Sequence, residues 1–397
     1  MSRYSMIPDR IFNGPPWIVP RAVYVHVPFC AHRCGYCDFA IAVGRESEMG
    51  AYLDALEAEA GRLGGPFPVD TWYVGGGTPS LLPEPLLERL GALLARRFPL
   101  SEGGEATLEA NPESFGPQKA RLLRGIGFNR VSIGIQSFSQ GSLDALTRPH
   151  RADASAEAVE VALNAGLAVS ADLIFGVPGQ GLSDWENDIR RVASLGPSHV
   201  SAYGLTYEKG TPLERLTRSG TVLPLSDDLE AAMYSLAMDL LPGLGYQQYE
   251  ISNYALSGMW SRHNEAYWAN HAYFGIGMGA ARYVGGERST NTRDLSDYIR
   301  KALAGEPLSR PGERLEGLEA ARETLYLNLR RTRGADPAEF LSRTGMELSA
   351  MVPGLGRVTR AGLLEPTVSG GLRLTRKGLL LADTVAGEVL SRAGGPA

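Results

Sequence analysis

The sequence contains three cysteines, Cys30, Cys34 and Cys37, crowded into one stretch with the spacing C-x3-C-x2-C. An odd number cannot pair off, and so tight a loop leaves no room for disulfides of relaxed geometry. Three thiolates on one loop are what a metal centre needs. They can hold three irons of a [4Fe–4S] cube and leave the fourth iron open for a substrate, which a site closed by four cysteines does not allow. Zinc is the competing reading, because Cys3His is an accepted zinc set and His26 and His32 stand nearby in the sequence. A trio of inert buried cysteines is a third, although free cysteines rarely cluster.

Around this loop the chain keeps a βα rhythm. Apolar, β-branched runs at 22–29, 69–74, 106–110, 130–136, 168–175 and 199–205 read as strands. Helical patterns at 48–63, 86–98, 117–126, 154–165 and 183–195 separate them. Six strands alternating with helices argue for a parallel sheet in an α/β fold, with chemistry collecting at the strand C-terminal ends. Cys30, Gly75, Glu109, Gln136, Asp172 and Tyr203 fall there. The pattern does not distinguish a closed barrel from an open one.

The 397 residues suit two or three domains. Residues 1–20 read as a tail broken by Pro15, Pro16 and Pro20, and 21–225 as the core barrel. Residues 226–310 read as an extension of short strands and loops, rich in aromatics and glycine, closing in a linker at 307–312. Residues 311–397 read as helices, a hairpin at 364–375 and a last helix at 377–390, a winged-helix-like unit. Its last helices carry both charge signs, so it reads as a packing unit. A net charge of −5 offers no basic footprint for nucleic acid. No apolar run is long enough to span a membrane and no signal peptide opens the chain. The expectation is a cytoplasmic protein, where thiols stay reduced, with room for a peripheral membrane contact.

The segment Gly75-Gly76-Gly77-Thr78-Pro79 follows a strand and lacks the G-x-G-x-x-G spacing of a dinucleotide site. Glu109, Gln136, Arg148 and Asp172 sit on or just beyond strands, where a carboxylate can take ribose hydroxyls and an arginine fork a carboxylate. The cysteine spacing followed by the glycine segment resembles the radical S-adenosylmethionine (SAM) enzymes. The resemblance implies an incomplete (β/α)6 barrel, SAM chelated to the open iron of a [4Fe–4S] cluster, and an electron donor protein. It also implies that Tyr24, Tyr36, Gly76, Gly77, Thr78 and Glu109 line SAM, with Gln136, Arg148, Asp172 and Tyr203 facing the nucleotide.

The surrounding segments narrow the resemblance. Tyr24-x-His26-x-Pro28-Phe29, 108–112, 132–138, 172–179 and 249–253 resemble the oxygen-independent coproporphyrinogen III oxidase branch. Two departures stand against decarboxylation. Phe39 occupies the place of that oxidase's fourth cysteine, and only 29 residues precede Cys30. Both are similar to the sister group of HemW-type heme chaperones, as is His263-Asn264-Glu-Ala-Tyr267-Trp268, the H-N-x-x-Y-W motif of that group. The resemblance implies heme as ligand, an acceptor hemoprotein as partner, and His263, Asn264, Tyr267 and Trp268 as heme-handling residues. Physically, His263 offers a nitrogen to iron, and Tyr267 and Trp268 offer flat faces. His271 and His26 are rival ligands.

Overall fold

The computed structural model describes residues 14–309 and 311–391. Six strands form the core: β1 (Ala22–Val27), β2 (Val69–Gly76), β3 (Leu100–Ala110), β4 (Arg130–Gln136), β5 (Ala168–Phe175) and β6 (His199–Gly204). They pair in chain order and in parallel. Helices α1 (Met49–Arg62), α2 (Glu84–Arg97), α3 (Pro117–Gly125), α4 (Ala152–Asn164) and α5 (Leu182–Ser194) make the crossovers. The extension lengthens both edges. From it come β7 (Gln247–Gln248), β8 (Asn253–Ala255) and β9 (Phe274–Ile276). β9 adds in parallel to β1, and β8 adds antiparallel to β6. The order is β9-β1-β2-β3-β4-β5-β6-β8-β7, with no pairing between the two ends among the described residues, so the barrel is open there.

One face of the sheet is apolar and the other polar. Val25, Val74, Leu108, Val131 and Val169 lie in register across five strands, all fully buried. They share a core with Leu53 and Leu56 of α1 and Leu90 and Leu94 of α2. Burying each such side chain stabilises the fold by about 1.5–3 kcal/mol. The alternate positions put Glu109 beside Ser132 and Ser132 beside Ser170, with Asp172 beside Ser201. Parallel strands covered by helices on both faces read as continuous apolar runs. Here the helices cover one face, and the alternation follows.

Several expected boundaries move. β3 begins at Leu100 rather than 106. The expected linker is paired instead: Thr292 N donates to the Leu308 carbonyl (2.9 Å), and Ser309 forms an antiparallel bridge with Asn291; just past it, Glu313–Arg314 joins the strand Glu287–Thr290. The expected tail lies partly outside the described residues. Its described end is tied down, since Ala272 N donates to the Pro16 carbonyl (2.9 Å). The expected last helix is two, Arg376–Leu380 and Ala382–Leu390, broken where Leu381 leaves helical geometry (φ −120°, ψ 32°). A second hydrophobic core gathers Leu325, Phe340, Leu363, Leu374 and Val385. Around it stand those helices, Pro337–Thr344, and the antiparallel pair Leu364–Pro366 and Leu372–Leu374. Among the described residues no helix is long and apolar enough to cross a membrane.

Candidate metal centre and its neighbouring cavity

Cys30 ends a two-residue strand, Phe29–Cys30, paired in parallel with Ala42–Val43, so the cysteine loop closes on itself. Its middle is pinned from outside. Gly35 N donates to the Leu146 carbonyl (3.2 Å) and to Thr147 Oγ1 (2.5 Å), and the Gly35 carbonyl accepts from Leu213 N (2.8 Å). Tyr36 packs on a small cluster of Leu146, Ile174, Val177, Leu205 and Leu213. All three thiols are free. Burial pushes the Cys30 thiol up to about 11 and raises that of Cys37. Metal uptake here must therefore displace protons.

A polar belt joins two of the cysteines. Thr78 Oγ1 lies 3.6 Å from Cys30 Sγ and accepts from Asn111 Nδ2 (3.0 Å). Asn111 Oδ1 accepts from Arg148 Nη1 (3.2 Å), which lies 3.6 Å from Cys34 Sγ. Arg148 Nη2 donates to the Gly134 carbonyl (3.2 Å), while Nε is buried without a partner. The glycines beneath leave room for these groups, and Gly77 for the backbone itself. A Cβ on Gly75 would stand 2.7 Å from the Glu109 carboxylate, one on Gly77 2.6 Å from the Pro28 carbonyl, and one on Gly134 2.6 Å from Arg148. Glu109 accepts from Tyr73 OH (2.8 Å) and Gly76 N (2.9 Å). Burial lifts its pKa to about 7. Gln136 closes β4 in the left-handed region (φ 67°), a costly conformation that tends to mark functional sites.

The H-N-x-x-Y-W segment forms a short helix, α7 (Arg262–Trp268), capped by Ser261 Oγ on Asn264 N (3.3 Å). Glu105 at the polar face of β3 accepts from Arg262 N and His263 N, both at 3.2 Å. Arg130 lies 3.4 Å from Glu105 and donates to the carbonyl of Met259 (2.8 Å). His263 is fully buried. Its Nδ1 meets Thr71 Oγ1 and its Nε2 meets Tyr267 OH, both at 2.8 Å, and its ring stacks on Tyr73 (5.0 Å, 25°). Burial holds its pKa down to about 3, so the ring is neutral. A cavity of about 610 Å³ lies beyond α7, lined by Tyr267, Trp268, His271 and Tyr273.

The model of the radical SAM superfamily matches residues 24–192. The heme chaperone HemW of Bacillus subtilis is 35% identical over 93% of this chain and 99% of its own. The heme chaperone HemW of Mycobacterium tuberculosis is 36% identical over 94% of this chain and 95% of its own. The chain belongs to the HemW family. Among solved structures, the radical SAM coproporphyrinogen III oxidase HemN of Escherichia coli superposes with a TM-score of 0.82. It covers 96% of this chain and 92% of its own at 22% identity, a likeness of fold. The radical SAM fold expected of the chain is the fold it has.

For this HemW-family chain the donor set, three free thiols on one loop, fits a cluster. A zinc site brings its donors to about 2.0–2.3 Å of one point. A cube asks one thiolate of each iron. His26 is not a spare ligand, since Nε2 meets the Ala40 carbonyl (2.7 Å) and Nδ1 meets Tyr24 OH (3.0 Å). The unpartnered Arg148 Nε and the space kept by Gly134 fit a polar group of a bound nucleotide.

The expected SAM residues come together unevenly. Gln136 and Arg148 meet over Gly134, Tyr36 lies within electrostatic reach of Arg148, and Tyr24 within that of Glu109. Gly77 N and Thr78 N are spent on the carbonyls of Val27 and Phe29, both at 2.8 Å. Asp172 lies at mid-strand rather than at the strand end, with its oxygens taken by Ser132 Oγ (2.9 Å) and Ser201 Oγ (2.7 Å). Tyr203 remains half-exposed beyond it. Of the expected heme residues, Tyr267 and Trp268 reach the cavity, and His263 and Asn264 do not line it. Both His263 nitrogens are occupied, so His263 stands behind the Tyr267 wall rather than as an open ligand. Sequence reading missed Asn111, Tyr73, Glu105 and Arg130. Asn111 stood in a recognised segment, but nothing in the sequence paired Glu105 with a motif far along the chain.

Proposed function

We propose that the chain is a heme chaperone that holds a [4Fe–4S] cluster and SAM, binds heme and delivers it to an acceptor hemoprotein. The similarity to HemW chaperones over 93% of this chain and 99% of the Bacillus relative carries this reading. Cys30, Cys34 and Cys37 would each hold one iron, leaving the fourth to the amino and carboxylate groups of SAM. The bound cluster supplies one-electron chemistry at the sulfonium of SAM. Arg148 would stabilise the Cys34 thiolate by a charge-assisted hydrogen bond and Thr78 the Cys30 thiolate by a neutral one, with Asn111 bridging the two. Glu109, held between Tyr73 and Gly76, is the group suited to ribose hydroxyls. Free thiols and a cluster favour a reducing cytoplasm, with an electron donor protein to reduce the cluster.

The decarboxylating oxidase reading has the fold in its favour. Against it, Phe39 stands exposed where that enzyme has a fourth cysteine. The test has two arms, both on anaerobically reconstituted protein. Hemin should bind in about equimolar amount and pass to an apo-hemoprotein faster than it does unaided. Coproporphyrinogen III with SAM and reductant should yield no protoporphyrinogen. Steady product formation with SAM consumption, and no hemin transfer, would replace this reading with the enzyme.

A further inference from the structure

The cavity beyond α7 is walled on its far side by helix α9 (Gly317–Leu329), which follows α6 (Asp227–Gly243) and α8 (Leu295–Ala304) in the chain. Its volume of about 610 Å³ lies in the range of small-molecule sites. Trp268, Tyr267, Tyr273 and Tyr326 give it flat walls, and Leu315 and Leu327 make it apolar. Two strained or unsatisfied groups sit at its edge. Asn270 turns in the left-handed region (φ 54°), anchored by Nδ2 to Thr324 Oγ1 of α9 (3.1 Å). Trp268 Nε1 is buried with no hydrogen-bond partner.

The turn at Asn270 brings His271 to the cavity wall. Among the described residues its ring nitrogens make no hydrogen bond, in contrast to both nitrogens of His263. Burial, reinforced by Arg331, lowers its pKa to about 4. A neutral imidazole keeps a lone pair for iron. Two arginines also line the cavity. Arg288 is engaged with Glu323, whereas Arg322 has no ion pair or hydrogen bond among the described residues. Glu313 and Glu319 stand exposed at the rim.

We propose that this cavity is the seat of an iron tetrapyrrole, with His271 as axial ligand, the aromatic walls against the macrocycle and Arg322 on a peripheral carboxylate. The proposal rests on the heme reading above and assigns it a place and a ligand. His263 then acts as a positioning residue, holding the Tyr267 hydroxyl at the cavity wall.

The test is hemin titration of the full chain, followed by absorption and electron paramagnetic resonance. His271→Ala should change the spectrum and weaken binding about tenfold or more. Added imidazole should restore the wild-type spectrum. Leu327→Trp, which fills the cavity, should lower hemin stoichiometry while cluster content and melting temperature stay near wild type. Arg322→Ala should weaken binding with an unchanged spectrum. Wild-type spectrum and affinity in both His271→Ala and Leu327→Trp would overturn this site and leave the chaperone reading standing. A wild-type chain that binds no hemin would overturn both.

Discussion

Glu109 shows how one buried carboxylate can tie protonation to ligand. Its pKa is raised to about 7 by burial, against the opposing bonds from Tyr73 and Gly76. Above that pH it is an acceptor for hydroxyls, and below it the neutral acid has lost most of that capacity. The SAM-induced change in the spectrum of the reduced cluster should therefore weaken as pH falls through about 7. Glu109→Gln should bind SAM less well and flatten the pH profile. A wild-type profile level from pH 6 to 8.5 would count against Glu109 as a SAM ligand. Gly77 is constrained by space alone. Its added Cβ would meet the Pro28 carbonyl at 2.6 Å and the Phe29 carbonyl at 2.7 Å, backbone that leads straight into Cys30. Gly77→Ala should cost about 1–3 kcal/mol and lower the iron content of reconstituted protein. Thermal melting and iron analysis check both.

At the scale of elements, α7 matters most. It is short, and its orientation comes from outside. The Glu105 carboxylate takes two of its first backbone N–H groups, and Arg130 holds both that carboxylate and the carbonyls just before the helix. Removing one partner of a buried pair strands the other, at a cost of about 3–5 kcal/mol. Glu105→Ala should lower the denaturation midpoint accordingly and loosen His263 and Tyr267. Chemical denaturation with hemin binding as a second readout tests it. Loss of stability below about 1 kcal/mol would show that the pair does not hold the helix.

At the scale of the molecule, the extension and the second core are joined through the cavity wall. Asn328 of α9 is buried and its Nδ2 donates to the Trp268 carbonyl (2.9 Å), while Asn270 bonds Thr324 on the same helix. The cysteine loop takes no part in these contacts. Asn328→Ala should cost about 1–3 kcal/mol and weaken hemin binding, with [4Fe–4S] content unchanged. The converse is Cys34→Ser, which should lose or destabilise the cluster, since each thiolate holds its own iron. Full iron content in Cys34→Ser would reject the three-cysteine site.

The sequence by itself determined the cysteine loop, the six strands with their five intervening helices, and the glycine turn. These are local patterns: spacing on one loop, periodicity along a strand, a tight turn in three residues. It also carried the H-N-x-x-Y-W spacing, and on the turn of α7 that the structure supplies His263 and Tyr267, four apart, meet at 2.8 Å. Only the tertiary structure decided what that meeting means. Thr71 and Tyr73 of β2 and Glu105 of β3 lie more than 150 positions from His263; Tyr73 stacks on its ring, Thr71 occupies Nδ1 and Glu105 takes its backbone N–H, while Tyr267 occupies Nε2. The open edges of the sheet were likewise undecided until short strands from 247–276 paired with β1 and β6. Burial and hydrogen bonding between distant segments leave no periodic mark on either segment, so the cavity and its histidine could be found only in the folded chain.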